Sequence, residues 1–287
     1  MLGQRGQKHL QEGKHLTGML GIIAGGGPLP GQVAAAAQAA GRGVFIAGLK
    51  GYAAPEVLSP FPHKFYRLGA IGAMIRAFRD RDCRDLVMIG PVRRPSFFSL
   101  RPDADGARLL GRIGKAAFLG DDGLLAAIVR VLSEEGFRVL GAHEIMTDVL
   151  APEGLLTRAQ PDNQAMADIK RGVEVLKVTG AADVGQACVV QQGLVLALET
   201  VEGTDAMLAR IAAVMRPGPA GVLIKIAKPQ QERRTDLPTV GPDTVRHAVN
   251  AGLRGVAFES GTTILVNRMQ LIEIADAAGV FLLGIRT

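Results

Sequence analysis

Short apolar runs alternate with amphipathic stretches along the first half of the chain. The apolar run Leu20–Ala24 is followed by a glycine-rich turn, an alanine-rich stretch at 32–40 and a second apolar run at 44–48. That order predicts a strand, a helix and a parallel strand joined by a right-handed crossover. Similar patterns predict helices at 70–81 and 122–135 and strands at 86–90 and 138–140. The fold class expected for the first half is α/β, a Rossmann-like domain with a parallel sheet.

The alternation of apolar and amphipathic segments is interrupted near residue 150. Pro152 and Gly154 break the pattern, and a polar segment at 159–163 contains a further proline. Such segments are typical of a linker, so the chain is expected to divide into domains at 19–150 and 151–287. Helices are predicted at 164–179, 204–215, 244–251 and 269–278, and strands at 186–190, 194–199, 221–227, 255–259, 263–266 and 281–285. The second domain is therefore expected to be mixed α/β.

Three features of the sequence point to a cytoplasmic protein. Residues 1–18 are polar and basic without an apolar core, so they predict a disordered leader or tag and no secretory signal. No apolar run approaches the roughly 20 residues of a membrane-spanning helix. Two cysteines in 287 residues do not make a disulfide framework.

A formal net charge of +6 favours anionic ligands such as phosphates or an acidic lipid surface. Nucleic acid is disfavoured as a partner, because the chain has no Trp and only two Tyr, and no basic run is interleaved with aromatic residues.

Gly25, Gly26 and Gly27 lie between the first predicted strand and helix. Bare backbone at a helix N-terminus lets a phosphate or a sugar approach N–H groups, although a tight turn would need the same flexibility. The spacing is not the dinucleotide fingerprint, because Pro30 replaces the third glycine and no acidic residue ends the second strand. NAD binding is therefore disfavoured.

Two further segments of the first domain are candidates for ligand binding. Gly90 ends the predicted strand at 86–90 and Arg93 follows it, at the edge where open α/β sheets place their ligands, and Arg93 with Arg94 could clamp a diphosphate. A solvated basic loop is the alternative. Asp122 begins a helix, where a carboxylate either caps the helix or binds a metal or polar ligand.

Acidic residues cluster at a strand-to-helix turn of the second domain. Glu199 ends an apolar strand, and Glu202, Thr204 and Asp205 follow at the start of a helix. Carboxylate oxygens in this arrangement could bind a hard cation such as Mg²⁺. Helix capping by Thr204 or Asp205 remains open.

The segment 228–241 is the richest in chemistry. It follows the strand GVLIKIA and places Lys228, Glu232, Arg234 and Asp236 in a loop fixed by two prolines and a glycine. Cleavage of a phosphoanhydride needs cations, a carboxylate for metal or water, and rigid positioning, and this loop offers all three. The chain has no Walker phosphate loop, and its five histidines are scattered, so any metal is expected to be oxygen-ligated Mg²⁺ or Mn²⁺.

The motifs LGIIAGGGPLP, GPVRRP, GDDGLL, ADVGQACVVQQGLVLALETVEGTDAML and AKPQQERRTDLPTVG together resemble the UDP-2,3-diacylglucosamine pyrophosphatases of alphaproteobacteria, which lack the metallophosphoesterase fold. The resemblance runs from about Leu20 to near the end of the chain. It implies Mg²⁺-dependent hydrolysis of the acylated UDP-sugar to UMP and 2,3-diacylglucosamine 1-phosphate (lipid X) in lipid A biosynthesis. The family usually has Gln–Asp where this chain has Gln231–Glu232.

The resemblance completes the set of candidate residues. Those expected to act in catalysis are Asp236, Lys228 and Arg234; those expected to bind substrate are Gly25, Gly26, Gly27, Gly90, Arg93, Asp122, Thr204 and Gln231; and those expected to bind metal are Asp236, Asp205 and Glu202. It also implies a homodimer and possible peripheral contact with the inner membrane. Two alternatives stay open: a nucleotide-dependent oxidoreductase, and a non-catalytic protein that binds lipids or nucleotide sugars.

Overall fold

The computed structural model describes residues 18–93, 102–114, 120–146 and 148–287, without the side chains of residues 120 and 121. The expected leader at 1–18 lies, apart from Gly18, outside the described residues, as does Arg94. Two large sheets, one for each half of the chain, organise the described part.

The first sheet has five parallel strands in the order β3-β2-β1-β4-β5. They are β1 (Leu20–Ala24), β2 (Val44–Leu49), β3 (His63–Tyr66), β4 (Asp85–Ile89) and β5 (Arg138–Leu140). β1, β2 and β4 are buried along most of their length, which explains their nearly continuous apolar sequences. The expected Rossmann-like domain with a parallel sheet is confirmed.

Helices cover both faces of this sheet. They are α1 (Leu29–Ala39), α2 (Pro55–Leu58), α3 (Ile71–Arg79), α4 (Ala104–Ile113), α5 (Gly120–Glu134) and α6 (Ala142–Ile145). One core contains Val33 of α1 with Ile22 and Ile46, and the other contains Phe78 of α3 with Leu86. α3, α4 and α5 therefore share one face of the sheet.

The second half is mixed α/β, as expected, and its sheet has the order β6-β13-β11-β9-β7-β8. Its strands are β6 (Gly154–Leu155), β7 (Ala187–Gln191), β8 (Leu194–Leu198), β9 (Val222–Lys225), β11 (Gly255–Glu259) and β13 (Phe281–Ile285). β9, β11 and β13 run parallel, whereas β6, β7 and β8 each pair antiparallel with their neighbours. The short strands β10 (Thr239–Val240) and β12 (Ile264–Leu265) form a separate parallel pair.

Alternation along β9 separates the two faces of the second sheet. Ile224 packs in the core that contains Ile169 and Leu176 of α7 (Asn163–Ala181). Leu223 packs on the other side, with the core that includes α8 (Thr204–Ala209), α9 (Pro242–Asn250) and α10 (Arg268–Ala278). Successive side chains of a strand point to opposite faces, so Lys225 projects to the side of α8 and α9.

The two halves of the chain are in apolar contact on one side. Ile264 and Val266 belong to the same buried cluster as Leu29 and Val33 of α1. Gln32 Nε2 also donates a hydrogen bond of 2.8 Å to Asn267 Oδ1. This contact brings the loops at the carboxyl ends of β1 and β4 opposite the loop after β9.

The structure differs from the sequence expectations in several elements. The helix expected at 204–215 ends at Ala209 and continues only as a 3-10 turn at Ile211–Ala213. The N–H and carbonyl of Arg216 instead bind the buried amide of Gln191, which a continuing helix would not allow. The sequence did not predict α2, α4, α6, β3, β6 and β10. In the described part of the chain, no helix is both long and apolar enough to cross a bilayer.

Candidate functional site

The loop at 228–238 is organised by the buried side chain of Gln231. Its amide oxygen accepts a hydrogen bond of 3.0 Å from the backbone N–H of Lys228, and its Nε2 donates to Asp236 Oδ2 at 2.7 Å and to Gln186 Oε1 at 3.1 Å. The backbone N–H of Asp236 also donates to the carbonyl of Glu232. Gln231, expected to bind substrate, thus fixes the orientation of the Asp236 carboxylate.

Lys228 joins the two halves of the chain through an ion pair. Its Nζ lies 2.8 Å from Asp122 Oδ1 of α5 and 2.5 Å from Asp183 Oδ1, which follows α7. Burial alone would lower the pKa of Lys228, but the bonds and charges of the two carboxylates outweigh it and raise the pKa. Lys228 is therefore a cation held between two carboxylates.

Asp122 is a buried carboxylate that could accept further hydrogen bonds. Its side chain is only 6% exposed. Among the described residues neither carboxylate oxygen accepts a well-aligned hydrogen bond, although Oδ1 lies 2.8 Å from Lys228 Nζ. Burial raises the pKa of Asp122, and the charges of Asp183 and Asp236 act in the same direction against Lys228. An atom of this kind would be satisfied by a cation or a donor from a ligand.

Arg234 and Glu232 form a forked ion pair inside the same loop. Arg234 Nε donates to Glu232 Oε1 at 2.8 Å, and Nη2 donates to Oε2 at 2.7 Å. The bond from Arg234 holds the pKa of Glu232 below its usual range, although burial opposes it. Glu232 therefore fixes the Arg234 guanidinium at the edge of the cleft.

A polar cavity of about 400 Å³ lies between the two halves of the chain. From the first half it is lined by Gly90 and Pro91 after β4, and from the second by Lys225, Arg234 and Asp236. Further polar lining comes from Gln186, Thr204, Asp205, Arg233, Thr235, Thr239 and Thr244. Cations, hydroxyls and carboxylates of this kind suit a phosphorylated, hydroxyl-rich ligand.

A second cavity of about 440 Å³ lies mainly within the first domain, between the sheet and the helices α3, α4 and α5. Its lining is mostly aliphatic and includes Leu49, Ile71, Met74, Ile75, Leu109, Leu110, Ile113, Leu124, Leu125 and Ile128. The residues that it shares with the polar cavity are Met88, Ile89, Gly90, Pro91, Thr235 and Asp236. The two cavities thus meet at Asp236.

The glycine loop after β1 packs against the loop after β4. A Cβ on Gly25 would lie 2.3 Å from the carbonyl oxygen of Gly90, and one on Gly90 would lie 2.4 Å from that of Gly26. The N–H groups of Gly25 and Gly26 donate to the carbonyls of Ile89 and Pro91. Both N–H groups already have backbone acceptors where a phosphate cradle was expected, and Gly25 and Gly90 serve the close packing of the two loops. Gly27 lines neither cavity.

The remaining candidates are dispersed. The exposed Arg93 lines neither cavity, and its carbonyl accepts a hydrogen bond from the Tyr52 hydroxyl. Glu202 binds Arg210 at 2.6 Å, and Asp205 lies 3.1 Å from His247 Nδ1. No group of three or more histidine, cysteine or acidic side chains in the described part of the chain could hold a metal ion. Asp236, Asp205 and Glu202 are thus not assembled into one ligand set.

Sequence reasoning missed Lys225, Asp183 and Gln186. Lys225 is the single charge within the apolar run GVLIKIA, which is the signal that could have identified it. Asp183 has φ +58°, a conformation that Asp adopts more readily than most residues, but its contact with Lys228 spans 45 residues and no local pattern predicts it. Gln186 lines the polar cavity and contacts Gln231, and no local pattern predicts that contact either.

Two solved structures cover most of the chain with weak overlap. The Bordetella bronchiseptica enzyme WbmG, solved in complex with NAD and UDP, is 13% identical with a TM-score of 0.35, over 93% of this chain and 81% of that one. CobK precorrin-6A reductase is 10% identical with a TM-score of 0.31, over 94% of this chain and 88% of that one. At such scores neither likeness bears on function.

Comparison of sequences is much more specific. The LpxI N-terminal domain matches residues 19–149, and the LpxI C-terminal domain matches residues 152–283. The UDP-2,3-diacylglucosamine pyrophosphatase LpxI of Caulobacter vibrioides is 42% identical over 272 residues, which cover 93% of this chain and 97% of that protein. The chain belongs to the LpxI family.

Proposed function

We propose that this chain hydrolyses the diphosphate of UDP-2,3-diacylglucosamine, giving UMP and 2,3-diacylglucosamine 1-phosphate. The observation that carries the proposal is the meeting of an aliphatic cavity and a polar cavity at Asp236. A substrate with acyl chains at one end and a nucleotide at the other needs both environments. Its diphosphate, which lies between the two ends, would then reach Asp236.

The cavities assign the two ends of the substrate. The aliphatic cavity between α3, α4 and α5 would take acyl chains, because transfer of apolar surface out of water is favourable there. The polar cavity would take the nucleotide, whose phosphate, ribose and base offer many hydrogen-bonding groups. Both volumes fall within the range of about 300–1,000 Å³ that is usual for small-molecule sites.

Asp236, oriented by Gln231, would hold the attacking water or its metal at the diphosphate. Water adds to one phosphorus, the bond from that phosphorus to the bridging oxygen breaks, and the bridging oxygen leaves with the other phosphate. Arg234, fixed by Glu232 at the cleft edge, would offset the negative charge that develops on the leaving phosphate. Lys228 would position Asp122, since two carboxylates already share its ammonium group.

Asp122 and Asp236 would hold Mg²⁺, and Mn²⁺ could replace it. Asp122 Oδ2 is buried without a partner among the described residues, and Asp236 lies at the junction of the cavities. Mg²⁺ is commonly held by one or two carboxylates together with substrate phosphates, so a larger protein ligand set is not required. When bound, the ion would supply charge stabilisation at the phosphoryl oxygens and lower the pKa of a bound water. Asp205 and Glu202 are not needed for it.

The test is product analysis with purified protein and UDP-2,3-diacylglucosamine in detergent micelles. We expect UMP and lipid X in equal amounts with Mg²⁺, no turnover with EDTA, and recovery when Mg²⁺ or Mn²⁺ is restored. Tight lipid X binding without any UMP release would overturn hydrolysis and favour a non-catalytic lipid-binding protein. Turnover that is unaffected by EDTA would overturn the metal requirement but not the hydrolysis.

Location and assembly stay predictions. A cytoplasmic homodimer that touches the inner membrane surface follows from the resemblance, and no contact within the described residues bears on it. Size measurement by light scattering and flotation with anionic vesicles would test these two points.

A further inference from the structure

Lys225 is a buried cation at the carboxyl end of β9. Only 6% of the residue is exposed, and it lines the polar cavity but not the aliphatic one. It follows Val222, Leu223 and Ile224, all fully buried. Burial of a charged side chain is costly unless it is paired and hydrogen-bonded, so its presence in this strand needs a physical explanation.

A short chain of hydrogen bonds fixes the ammonium group. Lys225 Nζ donates to Thr204 Oγ1 at 2.8 Å, and Thr204 Oγ1 donates its proton to Glu199 Oε1 at 2.6 Å. The backbone N–H of Gln186 holds the other oxygen, Glu199 Oε2, at 3.1 Å. Because the hydroxyl has a single proton, the bond to Glu199 leaves it an acceptor for Lys225. The direction of the whole chain is therefore determined.

The contrast with Lys228 shows what Lys225 lacks. Lys228 contacts two carboxylates directly, whereas the only hydrogen-bond partner of the Lys225 ammonium among the described residues is the neutral hydroxyl of Thr204. An ammonium group has three donors, so two remain for a ligand. Lysine is a common phosphate-binding residue, acting as a point charge. Lys225 thus has both the charge and the donors that an anion in the polar cavity would need.

We propose that Lys225 binds the phosphate that stays with the nucleotide, and that Thr204 and Glu199 are positioning residues for it. The proposal rests on the proposed function, which places the acyl chains in the aliphatic cavity and the nucleotide in the polar one. Lys225 lines the polar cavity alone, so it would contact the UMP portion and not lipid X. The site therefore uses one set of groups for the reacting centre and another to hold the nucleotide.

The test compares the binding of UMP and lipid X, measured separately by calorimetry, so that turnover is not required. For Lys225→Met we expect UMP to bind at least about tenfold more weakly and lipid X to bind as in the wild type. Lys177→Met, which removes an exposed lysine of α7, is the matched control and should change neither affinity. Unchanged UMP affinity, or an equal loss for lipid X, would overturn the proposal.

Thr204 variants test the positioning role and cover a Lys225→Met protein that does not fold. For Thr204→Val we expect a higher KM for the substrate with little change in kcat, and Thr204→Ser should restore the wild-type KM. A fall in kcat alone, or failure of serine to rescue, would overturn the positioning role. If the wild-type chain hydrolyses substrate but binds no UMP, the Lys225 proposal fails and the proposed function stands. If it binds UMP but releases none from substrate, the proposed function fails.

Discussion

The two cavities of this protein are similar in volume but are built in opposite ways. The aliphatic cavity is built mainly by the first domain, where α3, α4 and α5 leave space against the first sheet; among the described residues the second half adds Thr235 and Asp236 to a lining that is mostly apolar. The polar cavity lies between loops of both halves of the chain. Selection of the apolar end of a ligand is thus mainly a property of the first domain. Chemistry at the polar end depends on how the two halves meet.

The largest expected effect is at the junction that both cavities share. Asp236→Asn keeps the shape of the side chain and the bond from Gln231 but removes the charge, so we expect turnover to fall by about a thousandfold. Binding of lipid X should persist, because the aliphatic cavity is unchanged. Steady-state UMP release and lipid X calorimetry are the measurements.

Asp243→Asn is the matched control for that prediction. Asp243 is an exposed carboxylate of α9 paired with Arg246, and it lines neither cavity. It should retain wild-type turnover. If Asp236→Asn also turned over at nearly the wild-type rate, the junction would have no role in chemistry.

The second expected effect concerns the meeting of the two halves. Lys228→Met leaves the buried Asp122 without its cation, and removal of one partner from a buried pair typically costs about 3 kcal/mol or more of unfolding free energy. Thermal or urea unfolding would measure the loss. The double variant Lys228→Met/Asp122→Asn should recover part of it, since the isolated charge is gone. A single variant as stable as the wild type would show that the ion pair does not hold the halves together.

Periodicity was sufficient for the buried central strands but not for every edge strand or helix. β1, β2 and β4 are apolar runs that a buried parallel strand requires, so their prediction was reliable. α4 was missed although Asp103 caps it through Gly106 N–H. Two glycines weaken its helical pattern, and the same carboxylate also accepts from Ala73 N–H of α3, a contact between distant segments.

Part of the candidate site was likewise predictable from the sequence, and part was not. The loop with Arg234 and Asp236 was predictable because proline, glycine and charge follow a buried strand within a few residues. The ion pairs of Lys228 with Asp122 and Asp183 were not predictable, since they join three segments far apart in sequence. The backbone acceptors of the Gly25 and Gly26 N–H groups were not predictable for the same reason, because they belong to the end of β4 and the loop after it.

The third expected effect is at Asp85, at the end of the first sheet that faces away from the cavities. Asp85, at the start of β4, accepts from Arg42 and Arg138, and these bonds hold its pKa below the usual range although burial opposes them. A lowered folded-state pKa means that this stabilisation is complete above the unfolded pKa of about 3.9 and is lost as the pH falls through the folded value. Asp85→Asn should therefore cost about 2 kcal/mol near neutral pH.

The measurement for Asp85 is thermal unfolding between pH 7 and pH 3. We expect the difference between wild type and Asp85→Asn to shrink towards the acid end of that range. UMP and lipid X affinities should not change, since Asp85 lines neither cavity. A difference in stability that stays constant with pH would show that the Asp85 charge is not what stabilises the sheet.

The smallest expected effect distinguishes the roles of the two cavities most directly. Ile128 of α5 lines the aliphatic cavity and only that one, so Ile128→Phe should reduce the space for acyl chains while leaving the polar cavity intact. Each methylene that loses its buried position costs about 0.8 kcal/mol, so kcat/KM for a long-chain substrate should fall by about tenfold. A substrate with shortened chains should be affected much less, and UMP affinity should stay at the wild-type value. Equal losses for long and short chains would place the acyl groups elsewhere, because only chains that reach α5 can sense the larger side chain.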